Sequence, residues 1–155
     1  MNAAHLHLML NHLPVLGTAF GLGLLAWAQW KRNDELRRVS LGVLVLVTLL
    51  AVPAYLTGEP AEDLVENLPG VSIVLIKQHE AAAQLAFTAQ LVLGVGSLGG
   101  FIAFRRGRTI PNWFAGAMLA LALVVAGLMA RTANFGGEVR HPEIRSGTRP
   151  IQPTE

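Results

Sequence analysis

The residues of this chain that could do chemistry are its five histidines. Three of them, His5, His7 and His12, stand within eight residues near the N-terminus, and the other two, His79 and His141, are far along the chain. An imidazole can bind a transition metal or a haem iron, and it can exchange a proton near neutral pH. The chain has no cysteine, which excludes disulfides, iron–sulfur clusters and thiolate metal sites. A bound metal or prosthetic group would therefore depend mainly on these histidines.

The composition is that of a membrane protein. Of the 155 residues, 52% are hydrophobic and only 14% are charged, whereas a soluble domain carries about 25% charged residues. The net charge of +2 is too small and too dispersed to indicate a nucleic-acid partner. The N-terminus lacks the basic region of a cleavable signal peptide, so we interpret the first apolar segment as a retained membrane span.

Four apolar segments each reach the ~20 residues that a helix needs to cross a bilayer. The predicted spans are residues 3–30, 36–57, 72–104 and 111–133. They form a membrane domain, 1–133, which is followed by an outer tail rich in Gly, Pro and Arg, 134–155. Within the tail, Gly136-Gly137 predicts a turn. The sequence therefore predicts an all-α fold, a four-transmembrane-helix bundle with both termini on one side.

Two segments of this bundle leave alternatives open. Asn2 could cap a first helix that begins at Ala3 and is kinked by Pro14, or the helix could break at Asn11 and the main span begin there. The acidic connection after the second span, 58–68, could form two helical turns on the membrane surface, or it could be a solvated linker.

The connections between the spans predict the orientation. The first and third connections are basic, and the second is acidic, with Glu59, Glu62, Asp63 and Glu66. By the positive-inside rule the basic connections face the cytoplasm, so the termini and the acidic connection face the periplasm. Because the number of spans is even, all five histidines are expected on this outer side, together with Glu80.

Helix geometry predicts how the histidines relate to one another. His5 and His79 each lie 26 residues before the first basic residue of the next connection, which is about 39 Å of helix. They are expected at the same level and form the natural first pair. His12 shares a face with His5 and lies about 10 Å deeper. His7 points nearly opposite and is the less promising ligand.

The third span carries a stripe that should face the bundle interior. Its members, at helical spacing, are His79, Ala83, Ala86, Gln90, Leu93 and Ser97. Most of them are small or polar, whereas a stripe that faces lipid would be large and apolar. Two glycine pairs, Gly17 with Gly21 and Gly96 with Gly100, are spaced for close helix packing, and small residues could also make room for a flat cofactor.

Histidines gathered on one side of a bundle predict b-type haem, because imidazoles from neighbouring helices can bind the two faces of a haem iron. His5 with His79 could hold one haem, and His12 with a remaining histidine could hold a second. The candidate cofactor-binding residues are His5, His12, His79, His141, Arg131 and Arg140, the two arginines as partners of haem propionates. Alternatively the same four histidines bind Zn, Cu or Fe, with Glu80 or a carboxylate of the acidic connection.

Four motifs on the predicted outer side carry a resemblance to a known group. They are Asn11-His12-Leu13-Pro14-Val15-x-Gly17, Thr57-Gly58-Glu59-Pro60-Ala61-Glu62, His79-Glu80, and Thr132-Ala133-Asn134-Phe135-Gly136-Gly137 with Arg140-His141-Pro142-Glu143-Ile144. The chain thereby resembles small four-span bacterial membrane proteins of unknown function, some of whose relatives are thought to be b-type cytochromes. The resemblance covers almost the whole chain and implies a site that the group shares. It implies no particular reaction.

We therefore expect a multi-pass protein of the bacterial inner membrane that carries electrons through b-type haem. The expected partners are the lipid bilayer, a quinol pool or membrane enzyme, and a periplasmic or membrane redox partner, in a homo-oligomer or larger complex. The sequence shows no nucleophile elbow, phosphate loop or dinucleotide fingerprint, which favours a carrier or subunit over a stand-alone enzyme. The alternatives are a non-haem metal protein and an accessory structural subunit.

Overall fold

The computed structural model describes residues 2–105 and 107–145, and those residues contain helices and no strand. The helices are α1 (Ala3–Leu10), α2 (His12–Lys31), α3 (Asp34–Leu56), α4 (Gly58–Val65), α5 (Ile73–Ala103) and α6 (Asn112–Arg140), followed by a 3-10 turn (Pro142–Ile144). Four stretches are long and apolar enough to cross a membrane: Ala3–Lys31, Asp34–Val65, Ile73–Ala103 and Asn112–Arg140. The predicted all-α fold with four membrane-spanning helices is confirmed.

The first span is made of α1 and α2, which are separated by a single residue, Asn11. The side chain of Asn2 accepts a hydrogen bond from the backbone N–H of His5 at 2.9 Å, and it thereby caps α1. Pro14 has no N–H to donate to the carbonyl of Leu10, which weakens the helix at this turn. The structure thus has both the cap at Asn2 and the break at Asn11.

Glycines of α2 and α5 let neighbouring helices pack closely, as predicted. A Cβ atom on Gly17 would lie 2.6 Å from the side chain of Val47 in α3, and a Cβ atom on Gly21 would lie 2.7 Å from Leu44. A Cβ atom on Gly100 would overlap the ring of Phe114 in α6. Close packing of backbones is how helices associate in a lipid environment, where burial of apolar surface gives little preference for one helix over another.

The small and polar stripe of α5 faces the bundle interior, which confirms the prediction. Ala86, Gln90, Leu93 and Ser97 are buried, and His79 and Ala83 are half-buried. Gln90 accepts a hydrogen bond from Thr18 of α2 at 2.9 Å and donates one to Thr48 of α3 at 2.7 Å. An apolar cluster of residues from four helices packs near these groups: Leu25, Leu44, Ala86, Leu93, Ala122, Val125 and Met129.

The acidic connection forms a helix, α4, that follows α3 after a single residue and packs against α1. Its Glu62 accepts a hydrogen bond from Lys77 of α5 at 2.9 Å, and Lys77 also pairs with Glu80 at 3.1 Å. Of the two alternatives for this connection, the structure has the helical one.

The fourth span is longer than predicted, and the turn predicted at Gly136-Gly137 was wrong. Helix α6 continues through both glycines to Arg140. Glycine lowers helix stability by about 1 kcal/mol relative to alanine, but packing against α5 favours a residue without a side chain here. A Cβ atom on Gly136 would lie 3.0 Å from Cε1 of His79. The last part of the predicted tail, 146–155, lies outside the described residues.

Candidate histidine site

All five histidines belong to one end of the bundle, formed by α1, the end of α3, α4, the start of α5 and the end of α6. We call it the histidine end. The structure divides the histidines by exposure: His5, His12 and His141 are exposed, whereas His7 and His79 are half-buried. The two half-buried imidazoles come from different spans and are the ones that contact neighbouring helices.

His7 is anchored to the last turn of α3. Its Nδ1 lies 3.0 Å from the carbonyl oxygen of Ala54 and 3.2 Å from the hydroxyl oxygen of Thr57. The hydroxyl proton of Thr57 is itself directed at the carbonyls of Pro53 and Ala54, at 2.9 and 3.0 Å. A carbonyl oxygen can only accept, so Nδ1 of His7 carries a proton, and its Nε2 makes no hydrogen bond within the described residues.

His79 is anchored to α6 in the same manner. Its Nδ1 donates to the carbonyl oxygen of Thr132 at 2.9 Å. The imidazole lies over Gly136, where a Cβ atom would be 3.0 Å from Cε1, 3.2 Å from Nδ1 and 3.8 Å from Nε2 of the ring. The absence of a side chain at Gly136 therefore makes room for the ring, and Nε2 again makes no hydrogen bond within the described residues.

The two anchored imidazoles lie at the same end of the bundle, and each is bonded to a backbone carbonyl of the next span. Each donates its Nδ1 proton to a backbone carbonyl, the arrangement that fixes the tautomer and ring orientation of histidines that bind metals through Nε2. One anchor joins the first and second spans, and the other joins the third and fourth. The arrangement offers two oriented nitrogen ligands from opposite halves of the bundle.

The structure corrects the predicted face of α1. The sequence paired His5 with His79, but the inner side of α1 carries His7, and His5 is exposed. The prediction that His5 and His79 lie at the same level of the bundle depended only on distance along each helix. The choice between His5 and His7, which are about 200° apart around the helix, depends on which side of α1 packs against α3 and α4.

His12 shares the exposed face with His5. Its Nδ1 lies 3.1 Å from the carbonyl oxygen of Leu8 in α1, which belongs to the same span, so His12 is not anchored to another span. The predicted second, deeper group would need His12 inside the bundle, and the structure places it on the bundle surface.

The remaining predicted residues lie at the end of α6 and beyond it. Nδ1 of His141 is 2.8 Å from Oε1 of Glu143, and both side chains are exposed. The pKa of Glu143 is lowered, first by a hydrogen bond from its own backbone N–H and then by His141. The guanidinium of Arg131 lies 5.4 Å from the centre of the Phe135 ring. Arg131 and Arg140 are exposed and remain accessible to an anionic group.

Among residues 2–105 and 107–145, no group of three or more histidine and carboxylate side chains is placed to hold a metal ion. Glu80, the carboxylate next to His79, pairs with Lys77 instead. The geometry therefore offers less support to the three-ligand or four-ligand sites that Zn usually takes in proteins than to a two-histidine site.

Sequence reasoning missed the groups that orient the two imidazoles: the carbonyls of Ala54 and Thr132, the hydroxyl of Thr57, and Gly136. Backbone carbonyls leave no signal in a sequence. A glycine stands near each anchor, and Gly136 follows Thr132 by four residues. Gly58 follows Thr57, and a Cβ atom on it would lie 3.7 Å from Cε1 of His7.

The fold and this site define a four-span helical membrane protein with two oriented imidazoles at one end. Comparison of the chain with family models, with curated protein sequences and with solved structures finds no match. The resemblance to small bacterial membrane proteins therefore stays a prediction.

Proposed function

We propose that this chain is a membrane electron-transfer protein that binds b-type haem at its histidine end, where His7 and His79 would hold the iron. One observation carries the proposal. Two imidazoles from different spans at the same end of the bundle both donate Nδ1–H to backbone carbonyls, at 3.0 and 2.9 Å, and neither Nε2 makes a hydrogen bond within the described residues. Histidine binds haem iron through such a nitrogen, and bundle helices commonly supply it.

Other groups at this end suit haem as well. Tyr55 and Phe87 stack in parallel, with ring centres 4.3 Å apart, in the outer part of the α3–α5 interface. The amide oxygen of Asn11, one helical turn from His7 on the same face, is buried without a hydrogen-bond partner, so it has capacity for a donor such as ordered water. The exposed Arg131 and Arg140 can pair with propionates.

Two histidines holding one haem would favour electron transfer over catalysis. The haem would supply a one-electron couple, and the two histidines together would leave no position for a substrate. The site lies at one end of the spans, within reach of a quinol in the bilayer and of a soluble or membrane acceptor on that side. We therefore propose a place between a quinol pool or membrane enzyme and a periplasmic acceptor in the bacterial inner membrane.

The absorption spectrum of the purified full-length chain, expressed with haem available, tests the proposal. We expect a Soret band and, after reduction, the sharp α band of a six-coordinate haem. Addition of a quinone should reoxidise the haem and remove the α band. A preparation without a Soret band would overturn the haem assignment. Metal analysis of that preparation would then show whether a Zn, Cu or Fe ion occupies the histidines instead.

Variants of the histidines test the ligand assignment. We expect His7→Ala and His79→Ala to abolish six-coordinate haem while the helical content by circular dichroism stays unchanged. His5→Ala is the matched control, because His5 lies two residues from His7 in the same helix but is exposed. Loss of haem in His5→Ala together with retention in His7→Ala would contradict the assignment.

A further inference from the structure

The opposite end of the bundle, which we call the basic end, carries a cleft beside the connection between α5 and α6. The cleft has a volume of about 230 Å³ and is lined by Ile102, Ala103, Arg105 and Arg108. Both arginines are exposed. The cleft thus combines the apolar end of a membrane-spanning helix with two guanidinium groups.

These two arginines are not used by the fold in the way that Arg37 is. Arg37 is only 3% exposed and donates to Asp34, to the carbonyl of Ile110 and to Asn112. Within the described parts of the chain, neither Arg105 nor Arg108 forms an ion pair. Their charges are therefore available to an anion.

A third arginine reaches the same segment. Arg38 of α3 donates from its Nη2 to the backbone carbonyl of Arg108. Its Nε–H is buried and has no hydrogen-bond partner. The Nε–H of Arg37 is buried without a partner in the same way, so the case for the cleft depends on the exposed Arg105 and Arg108.

The aromatic residues place the cleft at the depth of lipid headgroups. All three tryptophans of the chain, Trp27, Trp30 and Trp113, are exposed and lie towards the basic end. Tryptophan is enriched where hydrocarbon meets headgroups. On the side of the cleft towards the apolar span, α5 exposes Phe101 and Ile102, which are 45% and 49% accessible. A molecule with an anionic head and apolar chains could therefore contact the arginines and this helix surface at once.

We propose that this cleft binds the phosphate of an anionic phospholipid, with Arg105 and Arg108 on the headgroup and the exposed side of α5 along an acyl chain. Basic pockets at helix ends bind such headgroups in other membrane proteins. The proposal does not depend on haem. It concerns the other end of the molecule and holds or fails independently of the function proposed above.

Native mass spectrometry of the full-length chain, titrated with phosphatidylglycerol or phosphatidylcholine, tests this proposal. We expect phosphatidylglycerol to bind at least tenfold more tightly than phosphatidylcholine, because each basic residue near an anionic lipid contributes an appreciable part of a tenfold change in affinity. The double variant Arg105→Gln with Arg108→Gln should lose most of this preference and bind phosphatidylcholine as before.

The double variant Lys31→Gln with Arg32→Gln is the matched control, because it removes the same charge from the same end at the connection between α2 and α3. It should keep the preference to within about threefold, since it alters only the surface potential, which salt screens. An equal loss in both double variants would overturn the proposal in favour of diffuse attraction. Displacement of the lipid by millimolar inorganic phosphate would overturn it in favour of a free-phosphate site.

Discussion

The two ends of the bundle use polar side chains in different ways. At the basic end, Arg37 is almost fully buried, and its Nη groups donate to a carboxylate, a backbone carbonyl and an amide. At the histidine end, His7 and His79 each use one ring nitrogen to bind a neighbouring helix and keep the other free. The Nη donors of Arg37 are used within the fold, which indicates a structural role, although its buried Nε–H has no partner. The two histidines each leave one ring nitrogen with capacity for a further bond.

Arg37 and the two histidines also anchor their helices in different ways. Arg37 joins α3 to the connection before α6, and it holds a charge that would be costly without partners. Each histidine joins helices through one hydrogen bond from Nδ1 to a backbone carbonyl, so its anchor costs less to lose than the several bonds of Arg37. We therefore expect substitutions at the basic end to affect stability most, and substitutions at the histidine end to affect the site most.

Replacement of Arg37 by leucine should have the largest effect on stability. It removes the guanidinium and leaves the carbonyl of Ile110 and the amide of Asn112 without their donors. Loss of one partner from a buried charged network costs about 3 kcal/mol or more, which thermal or denaturant unfolding in detergent would measure. Arg105→Gln, at an exposed position of the same end, should change stability by less than about 0.5 kcal/mol. Similar stability of the two variants would contradict a structural role of Arg37.

Two neighbouring glycines of α6 should respond to alanine with opposite signs. In Gly136→Ala the new methyl group meets the ring of His79 at 3.0 Å, so the ring must move away from Thr132. We expect overpacking to cost about 1–3 kcal/mol. In Gly137→Ala the methyl group meets only Ile144, at 3.4 Å, and the gain in helix propensity is up to about 1 kcal/mol.

Thermal unfolding measures both effects, and the histidine ring resonances in NMR report whether His79 has moved. Equal destabilisation by the two alanines would show that flexibility of the helix end, and not room for the imidazole, explains the glycines.

The hydrogen bonds of Gln90, in the middle of the bundle, involve no charged group. We expect them to contribute less to the free energy of unfolding than the bonds of Arg37. Gln90→Leu removes the bonds to Thr18 and Thr48 but keeps the side-chain volume. Hydrogen bonds between membrane helices average about 0.6 kcal/mol each, so we expect a loss of roughly 1 kcal/mol in unfolding measurements. Thr88→Ala is the control on the same helix, because Thr88 is exposed and bonds only to Gln84. A loss as large as that of Arg37→Leu would contradict this ranking.

The smallest expected effect concerns His141 and Glu143, an exposed pair near the end of the described residues. The pKa of Glu143 is lowered in the folded state. The ionised carboxylate therefore stabilises the folded state above the pKa of the unfolded chain, and this stabilisation is lost as the pH falls through the folded pKa. In His141→Ala the pKa of Glu143 should rise only part of the way to its ordinary value, because the larger cause is its own backbone N–H. Carboxyl chemical shifts across an acid titration check this. A complete return to the ordinary value would show that His141 is the main cause.

Much of the fold could be predicted because its signals are local. The lengths of the apolar segments predicted the spans, and helical spacing predicted the inward stripe of α5 that ends at Ser97. The prediction failed at Gly136-Gly137, where low helix propensity indicated a turn. Propensity is a local average, and here packing against His79 outweighs it.

The sequence by itself determined that the histidines share one end of the bundle, because an even number of spans returns both termini to the same side. It also determined that His5 and His12 share a face, since this follows from the helical repeat. Only the tertiary structure decided that His7, and not His5, is the residue of α1 that faces inward. That choice depends on how α1 rotates to pack against α3 and α4, and on the carbonyls of Ala54 and Thr132 that orient the two rings. Backbone acceptors from other helices are invisible in a sequence, because every residue carries one.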